Sequence, residues 1–276
     1  MYYIFNKTDT GYRHLRENKP CQDYSASYSD KERMIITCCD GHGGDIYIRS
    51  DRGSKFASMA IINVFSSLKY SLLREDDKAI KNIKLSILCE WNRLVEEDLA
   101  RRPIRKKELE HLDEDKLDRI IFNKAHAYGT TLSGAMLYKN KIIIVSIGDT
   151  EALGVYKGSI IKIFDDENDP VANVTYSMCQ EDAFNYLNVR IMNVNELDGL
   201  FLCTDGLSAP FAFYDSFKEG FIKPSMREVI NSGNLDYFDQ FVSRLAKEKG
   251  VGDDVSLAFI INSKAKLKYY KNKYDL

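Results

Sequence analysis

Five strand-sized runs in this chain stop or start at an aspartate, and that placement constrains its fold more than any other feature. Met34–Cys39 runs into Asp40-Gly41, Lys141–Ile147 into Gly148-Asp149, and Leu200–Thr204 into Asp205-Gly206. Asp253 stands just before Val255–Ile261, and Asp23 just before Tyr24–Tyr28. In an antiparallel sheet the end of one strand lies beside the start of its neighbour. Carboxylates placed after some strands and before others therefore collect at one rim. Thr130–Tyr138, Lys141–Ile147, Ala152–Tyr156 and Ser159–Phe164 follow one another, broken by Lys139-Asn140, Gly148-Asp149 and Lys157-Gly158. That succession predicts a meander of hairpins. Apolar residues at helical spacing over Ile46–Leu73, Ile80–Leu99 and Phe238–Ala246 predict three helices, the last stopping at Gly250. Strand runs and helix runs are segregated, so the fold class is α+β, antiparallel sheet packed on helices. No Pro/Gly/Ser linker divides the chain, which predicts a single domain over residues 1–276.

Several carboxylates at one rim are unstable alone. Two unit charges 4 Å apart repel by about 4 kcal/mol at an effective dielectric near 20. Protonation or a bound cation must relieve that, and all-oxygen ligands select magnesium, manganese or calcium over zinc. Glycine after Asp40 lets the backbone come close enough for its carbonyl to join such a shell. Each Asp-Gly alone reads as a turn. Their joint appearance beside Asp40-Gly-His-Gly-Gly44 points to a hard-metal site.

Charge and composition exclude several classes. Lys and Arg total 39 against 41 Asp and Glu, without the basic excess of a nucleic-acid binder. No run approaches the ~20 apolar residues of a membrane helix. Met1–Lys7 lacks the basic-then-apolar order of a secretory signal. The six cysteines show no C-x-x-C spacing, and several sit in apolar strands, which points to free thiols in a reducing cytoplasm. Arg101–Arg119 reads as a solvated charged helix or loop, and Lys264–Lys273 as a frayed terminus or strand overrun. His14, His111 and His126, in polar surroundings, read as surface or structural.

With these residues in view, the chain resembles the metal-dependent serine/threonine protein phosphatases of type 2C, in a compact bacterial form. Asp40-Gly-His-Gly-Gly44 matches the family signature, and Gly129-Thr-Thr-Leu132, Ser146-Ile-Gly-Asp-Thr-Glu-Ala152, Leu202-Cys-Thr-Asp-Gly-Leu207 and Gly252-Asp-Asp-Val-Ser256 follow in the family's order. The resemblance spans about Gly11 to Ile261. It implies two packed antiparallel sheets flanked by helices, an α-β-β-α sandwich, with a two-metal site at one end. Carried over, Asp40 would bridge two Mg2+ or Mn2+ ions and the Gly41 carbonyl would join one shell. Asp205 and Asp253 would complete the other. Asp23 would lie in or just behind the shell, Asp149 would match the position serving a third ion in some members, and His42 would match the proposed general acid.

The resemblance implies hydrolysis of phosphoserine and phosphothreonine in a phosphorylated protein partner by a metal-activated water, with no phosphoenzyme. Three departures stand out. Gln22 replaces a common glutamate, Asn18 occupies the place of a phosphate-gripping arginine with Arg13 and Arg16 nearby, and Asp254 follows Asp253 where asparagine is common, leaving the ligand between the two open. Gln22 and the displaced arginine keep one rival in play, a pseudophosphatase that binds a phosphoprotein; a weaker third reading is a small-metabolite phosphatase, whose different pocket Asp165–Glu196 would shape.

Overall fold

The apolar, β-branched runs of the sequence form the inner strands of two antiparallel sheets in a computed structural model that describes residues 1–164 and 175–270. Among those residues the strands are β1 (Tyr2–Asp9), β2 (Tyr24–Ser29), β3 (Arg33–Cys39), β4 (Leu132–Tyr138), β5 (Lys141–Ile147), β6 (Glu151–Tyr156), β7 (Ser159–Lys162), β8 (Asn188–Asn193), β9 (Gly199–Cys203) and β10 (Val255–Asn262). One sheet has the order β1-β10-β9-β6-β7 and the other β2-β3-β4-β5-β8. The helices are α1 (Tyr12–Glu17), α2 (Ser50–Ser67), α3 (Asp77–Arg101), α4 (Lys106–Leu109), α5 (Glu114–Phe122), α6 (Ala183–Tyr186), α7 (Asp205–Ser208), α8 (Tyr214–Phe217), α9 (Lys223–Ser232) and α10 (Asp236–Arg244).

Alternation along each strand builds three apolar layers. Ile36, Cys38, Ala135 and Ile144 face Leu200, Leu202, Ala258 and Ile260 across the gap between the sheets. The opposite faces of β3, β4 and β5, through Ile35, Met136 and Ile143, pack on Phe65 of α2 and Ile87 and Trp91 of α3. Phe201, Leu257 and Phe259 pack on Met226 and Val229 of α9 and Phe238 and Val242 of α10. Both faces of each sheet are thus covered, which is why the inner strands read as continuous apolar runs. The α-β-β-α sandwich follows. Helix α3 begins at Asp76, whose Oδ1 accepts the Ala79 amide at 2.9 Å.

The predicted meander breaks into two hairpins. β4 pairs with β5 and β6 with β7, but β5 and β6 lie in different sheets. The chain crosses between them at Gly148-Asp149-Thr150. Gly148 has φ +91°, and a Cβ there would stand 2.6 Å from Thr131 Cγ2, so this crossing needs glycine. Strands β1 and β8 and helix α9 carry no strong sequence signal and emerge only from the fold.

Two readings of charged segments change. Arg101–Arg119 is not merely solvated, because Glu108 Oε1 accepts from Arg49 Nε at 2.9 Å. The terminus is docked as far as Tyr270, which is buried and donates its hydroxyl to Asp198 Oδ2 at 2.6 Å. The remainder of Lys264–Lys273 lies outside the described residues. Among the described residues no helix is long and apolar enough to cross a membrane.

Candidate active site

At one end of the sandwich, a cleft of about 230 Å3 is lined by His14, Gln22, Asp40, Gly41, His42, Gly43, Asp149, Asp205, Asp253 and Asp254. Residues far apart in the chain meet because each sits at a strand end. Asp40 follows β3, Asp149 follows β5, Asp205 follows β9 and Asp253 precedes β10. β9 and β10 run antiparallel with Cys203 opposite Leu257, so the end of one adjoins the start of the other. Gly206 makes that approach close: a Cβ would fall 1.9 Å from the Asp254 carbonyl oxygen. Asp205 opens α7 and so comes to stand near Asp253.

Asp40 is held through its backbone. Its amide donates to Thr131 Oγ1 at 2.9 Å, and its carbonyl accepts from Thr130 Oγ1 at 2.8 Å and from the Thr131 amide at 2.8 Å. The threonines thus hold geometry, which leaves the Asp40 carboxylate free toward the cleft. The Gln22 amide group donates to Ser50 Oγ at 2.7 Å and to the His42 carbonyl at 3.3 Å. Gln22 therefore ties the Asp40–Gly44 loop to the start of α2. A carboxylate at position 22 would have no proton to give either acceptor.

Asp23 is set differently. It is 5% exposed and does not line the cleft; its Oδ2 accepts from Thr204 Oγ1 at 2.7 Å. Asp254 is also buried. Its Oδ1 accepts from the Gly11 backbone amide at 2.8 Å, and its Oδ2 accepts from the Gln22 backbone amide at 2.6 Å and lies 2.9 Å from His14 Nδ1. Both its oxygens serve the scaffold, whereas Asp253 is exposed at the cleft. His14, read from the sequence as surface or structural, is the cleft residue that reading missed. Polar neighbours on a short helix concealed it, and the doubled Asp253-Asp254 was the available signal. His111 Nε2 meets the Asp45 carbonyl at 3.3 Å, and His126 lies apart from the cleft.

His42 packs against Tyr47 with ring centroids 4.9 Å apart, and its Nε2 is buried without a hydrogen-bond partner. Burial holds its imidazole below the usual range, and the Asp149 charge opposes that. Of Asp165–Glu196, residues 165–174 lie outside the described residues. Beyond them, Thr175 Oγ1 donates to Asp149 Oδ2 at 2.8 Å, and the Met178 amide to the Thr130 carbonyl at 2.9 Å. That segment borders the cleft.

The electrostatics of the cleft are those of an uncompensated anionic cluster. Burial first, then Asp23, Asp205, Asp149 and Asp253, raises the Asp40 carboxyl well above the usual range. Burial and Asp254 do the same to Asp23, against the hydroxyls of Thr204 and Ser256. Asp205 shows much of its surface to the cleft, yet the protein around it, with Asp149 and Asp253, pushes it up to about 6. Among the described residues no three His, Cys, Asp or Glu side chains are drawn into a ready-made cage. Mutual repulsion of like charges favours that spacing. The donor set is oxygen from carboxylates with the Gly41 carbonyl adjacent, which fits a hard divalent ion.

Raised carboxyls fix the sign of a pH effect. The folded protein keeps these protons at a pH where the unfolded chain, with ordinary carboxyls near 4, has lost them. Ion-free stability from this cluster is therefore highest in acid and falls as pH rises from about 4 through 6. Added manganese should raise the melting temperature more at pH 7.5 than at pH 5, where protons compete for the same oxygens. Scanning fluorimetry with EDTA or manganese at the two pH values checks this; an equal shift at both would contradict it.

The sequence profile described as Protein phosphatase 2C matches residues 10–248. No curated protein sequence matches the chain. Among solved structures, the serine/threonine phosphatase Stp1 from Staphylococcus aureus is 15% identical, with 95% of each chain covered and a TM-score of 0.60. The S. agalactiae serine/threonine phosphatase is 18% identical, with 95% of this chain and 100% of its own covered and a TM-score of 0.61. The catalytic domain of the phosphatase PstP, in complex with two manganese ions, is 14% identical, with 94% of this chain and 97% of its own covered and a TM-score of 0.57. At these identities the likeness is one of fold.

Proposed function

We propose, because this chain belongs to the protein phosphatase 2C family, that it hydrolyses phosphoserine and phosphothreonine in protein substrates with the help of two magnesium or manganese ions. The observation that carries this reading is the convergence of Asp40, Asp149, Asp205 and Asp253 with His42 in one cleft. Asp40 and the Gly41 carbonyl, with Asp205 and Asp253 opposite, would hold the pair. Asp149 would serve a third ion, and Asp23 would support the site from beneath. Such ions supply a nucleophile from water near neutral pH and positive charge beside the phosphoryl oxygens.

The chain's own residues do the rest. The backbone clamp of Thr130 and Thr131 keeps the Asp40 carboxylate aimed while substrate charge builds. His42 supplies the proton that the departing serine or threonine alkoxide needs. Burial keeps its ring neutral at rest, and a phosphoryl dianion entering beside Asp149 adds charge that favours the protonated form. No phosphoenzyme is required. Burial pushes the thiols of Cys38, Cys39 and Cys203 up, which makes them poor nucleophiles and suits free cysteines of a cytoplasmic protein. The chain would act as one phosphatase domain.

Turnover tests this directly. With manganese, the purified protein should hydrolyse a phosphothreonine peptide faster than a panel of phosphorylated metabolites, and EDTA should stop it. Preference for a metabolite would favour the small-substrate rival, and binding without turnover would favour the pseudophosphatase.

A further inference from the structure

A phosphoryl group entering this cleft needs hydrogen-bond donors as well as cations, and the lining supplies few. Asp40, Asp149, Asp205, Asp253 and Asp254 are acceptors when ionised; the side chains there that carry N–H groups are His14, Gln22 and His42. The Gln22 side-chain amide is engaged by Ser50 Oγ and the His42 carbonyl. His42, its Nε2 buried, is the proton donor to the leaving oxygen in the phosphatase reading and is committed to that role. His14 is placed otherwise.

His14 stands on α1 with Nδ1 2.9 Å from Asp254 Oδ2. Asp254 is 2% exposed and is itself fixed by the backbone amides of Gly11 and Gln22. The Arg13 amide, which donates to the Gly252 carbonyl at 3.1 Å, secures the helix from the same side. A carboxylate partner makes Nδ1 the donor, so Nε2 is the ring atom left for the cleft. The side chain keeps 14% of its surface open.

We propose that His14, oriented by Asp254, grips the phosphoryl oxygen of the substrate through Nε2. Arg13 and Arg16, on the same short helix, do not line the cleft, and Arg16 lies over the Tyr12 ring. The grip uses both ring nitrogens as donors, Nδ1–H to Asp254 and Nε2–H to phosphate, which is the donor set of an imidazolium. This deepens the phosphatase reading and rests on it.

Two substitutions separate a grip from a brace. In His14→Asn the amide nitrogen stands near the Nδ1 position and keeps the bond to Asp254, but nothing replaces Nε2. In His14→Gln the amide nitrogen reaches toward the Nε2 position and leaves Asp254 short of a partner. The readout is calorimetric titration of inorganic phosphate into the full chain with magnesium, alongside melting temperature. His14→Asn should weaken phosphate binding roughly ten- to a hundredfold, the worth of one charge-assisted hydrogen bond. Its melting temperature should hold within about 2 °C, and His14→Gln should bind phosphate better than His14→Asn while melting lower. Unchanged phosphate affinity in His14→Asn, the reverse order of the two variants, or no phosphate binding by the wild type would overturn the proposal. Wild-type turnover of p-nitrophenyl phosphate with an unaltered KM in His14→Asn removes the grip and leaves the phosphatase reading intact. Phosphate binding that depends on His14 without any turnover supports the grip and removes the phosphatase reading.

Discussion

Replacing Asp40 by asparagine should lower kcat by at least about a thousandfold, ~4 kcal/mol of transition-state stabilisation, while making the ion-free protein more heat-stable. The two effects have opposite signs for one reason. The Asp40 carboxylate is buried among Asp23, Asp205, Asp149 and Asp253, so its charge opposes the ion-free fold and attracts a cation. Asparagine keeps the shape and removes the charge. The contacts that fix position 40 belong to its backbone amide and carbonyl, so the loop should hold. In EDTA the variant should melt roughly 2–5 °C above the wild type. Hydrolysis of p-nitrophenyl phosphate with manganese, together with melting in EDTA, checks both halves. A variant that loses activity and stability together would make Asp40 a structural residue.

The second large effect is on stability and lies behind the cleft. Arg49 is 5% exposed and spreads its guanidinium over five oxygens. Nε and Nη2 donate to Glu108 at 2.9 and 3.3 Å, Nη1 to the Arg102 carbonyl and the Tyr128 hydroxyl at 2.7 Å each, and Nη2 to the Pro103 carbonyl at 3.2 Å. Tyr128 in turn donates to Asp98 at 2.7 Å, and Asp98 accepts from Arg52 at 2.9 Å. Arg49→Met would leave the buried Tyr128 hydroxyl and the half-buried Glu108 carboxylate without this donor, at a cost of about 1.5–3 kcal/mol, or roughly 3–9 °C in melting temperature. Arg49→Lys should recover only part, because a single ammonium cannot reproduce the planar fork. Thermal melts of the two variants decide it, and a loss under about 2 °C for Arg49→Met would show the network to be dispensable.

The inner strands were legible because burial on both faces writes itself into the sequence as apolar, β-branched runs such as Lys141–Ile147. Two of the edge strands, β1 and β8, were not. β1 is half-exposed along its length, and β8 is mostly exposed or half-exposed and carries Asn188, Arg190 and Asn193 in six residues, so neither shows a clean alternation. The turn at Gly148-Asp149-Thr150 illustrates a different limit. Its length suits a hairpin, and periodicity does not say which sheet the next strand joins; the left-handed backbone at Gly148 and the packing of Thr131 decide that. In the site, strand-end placement was enough to anticipate that Asp40, Asp149, Asp205 and Asp253 converge. Depth was invisible: Asp23 lies beneath the cleft and Asp254 is bound into the scaffold, a distinction set by the hydroxyl of Thr204 and the amides of Gly11 and Gln22. His14 belongs to the same class, since only the folded contact with Asp254 sets it apart from a surface histidine.

Acidic side chains scattered along the sequence must form a shared binding place for hard cations if this cleft is to hydrolyse phosphate esters. Calorimetric titration of manganese into the wild-type chain at pH 7.5, repeated with Asp40→Asn, measures that most directly. Two ions bound per chain, with binding lost or reduced to one weak site in the variant, is the predicted result. No uptake at millimolar manganese, or uptake that Asp40→Asn leaves unchanged, would contradict it.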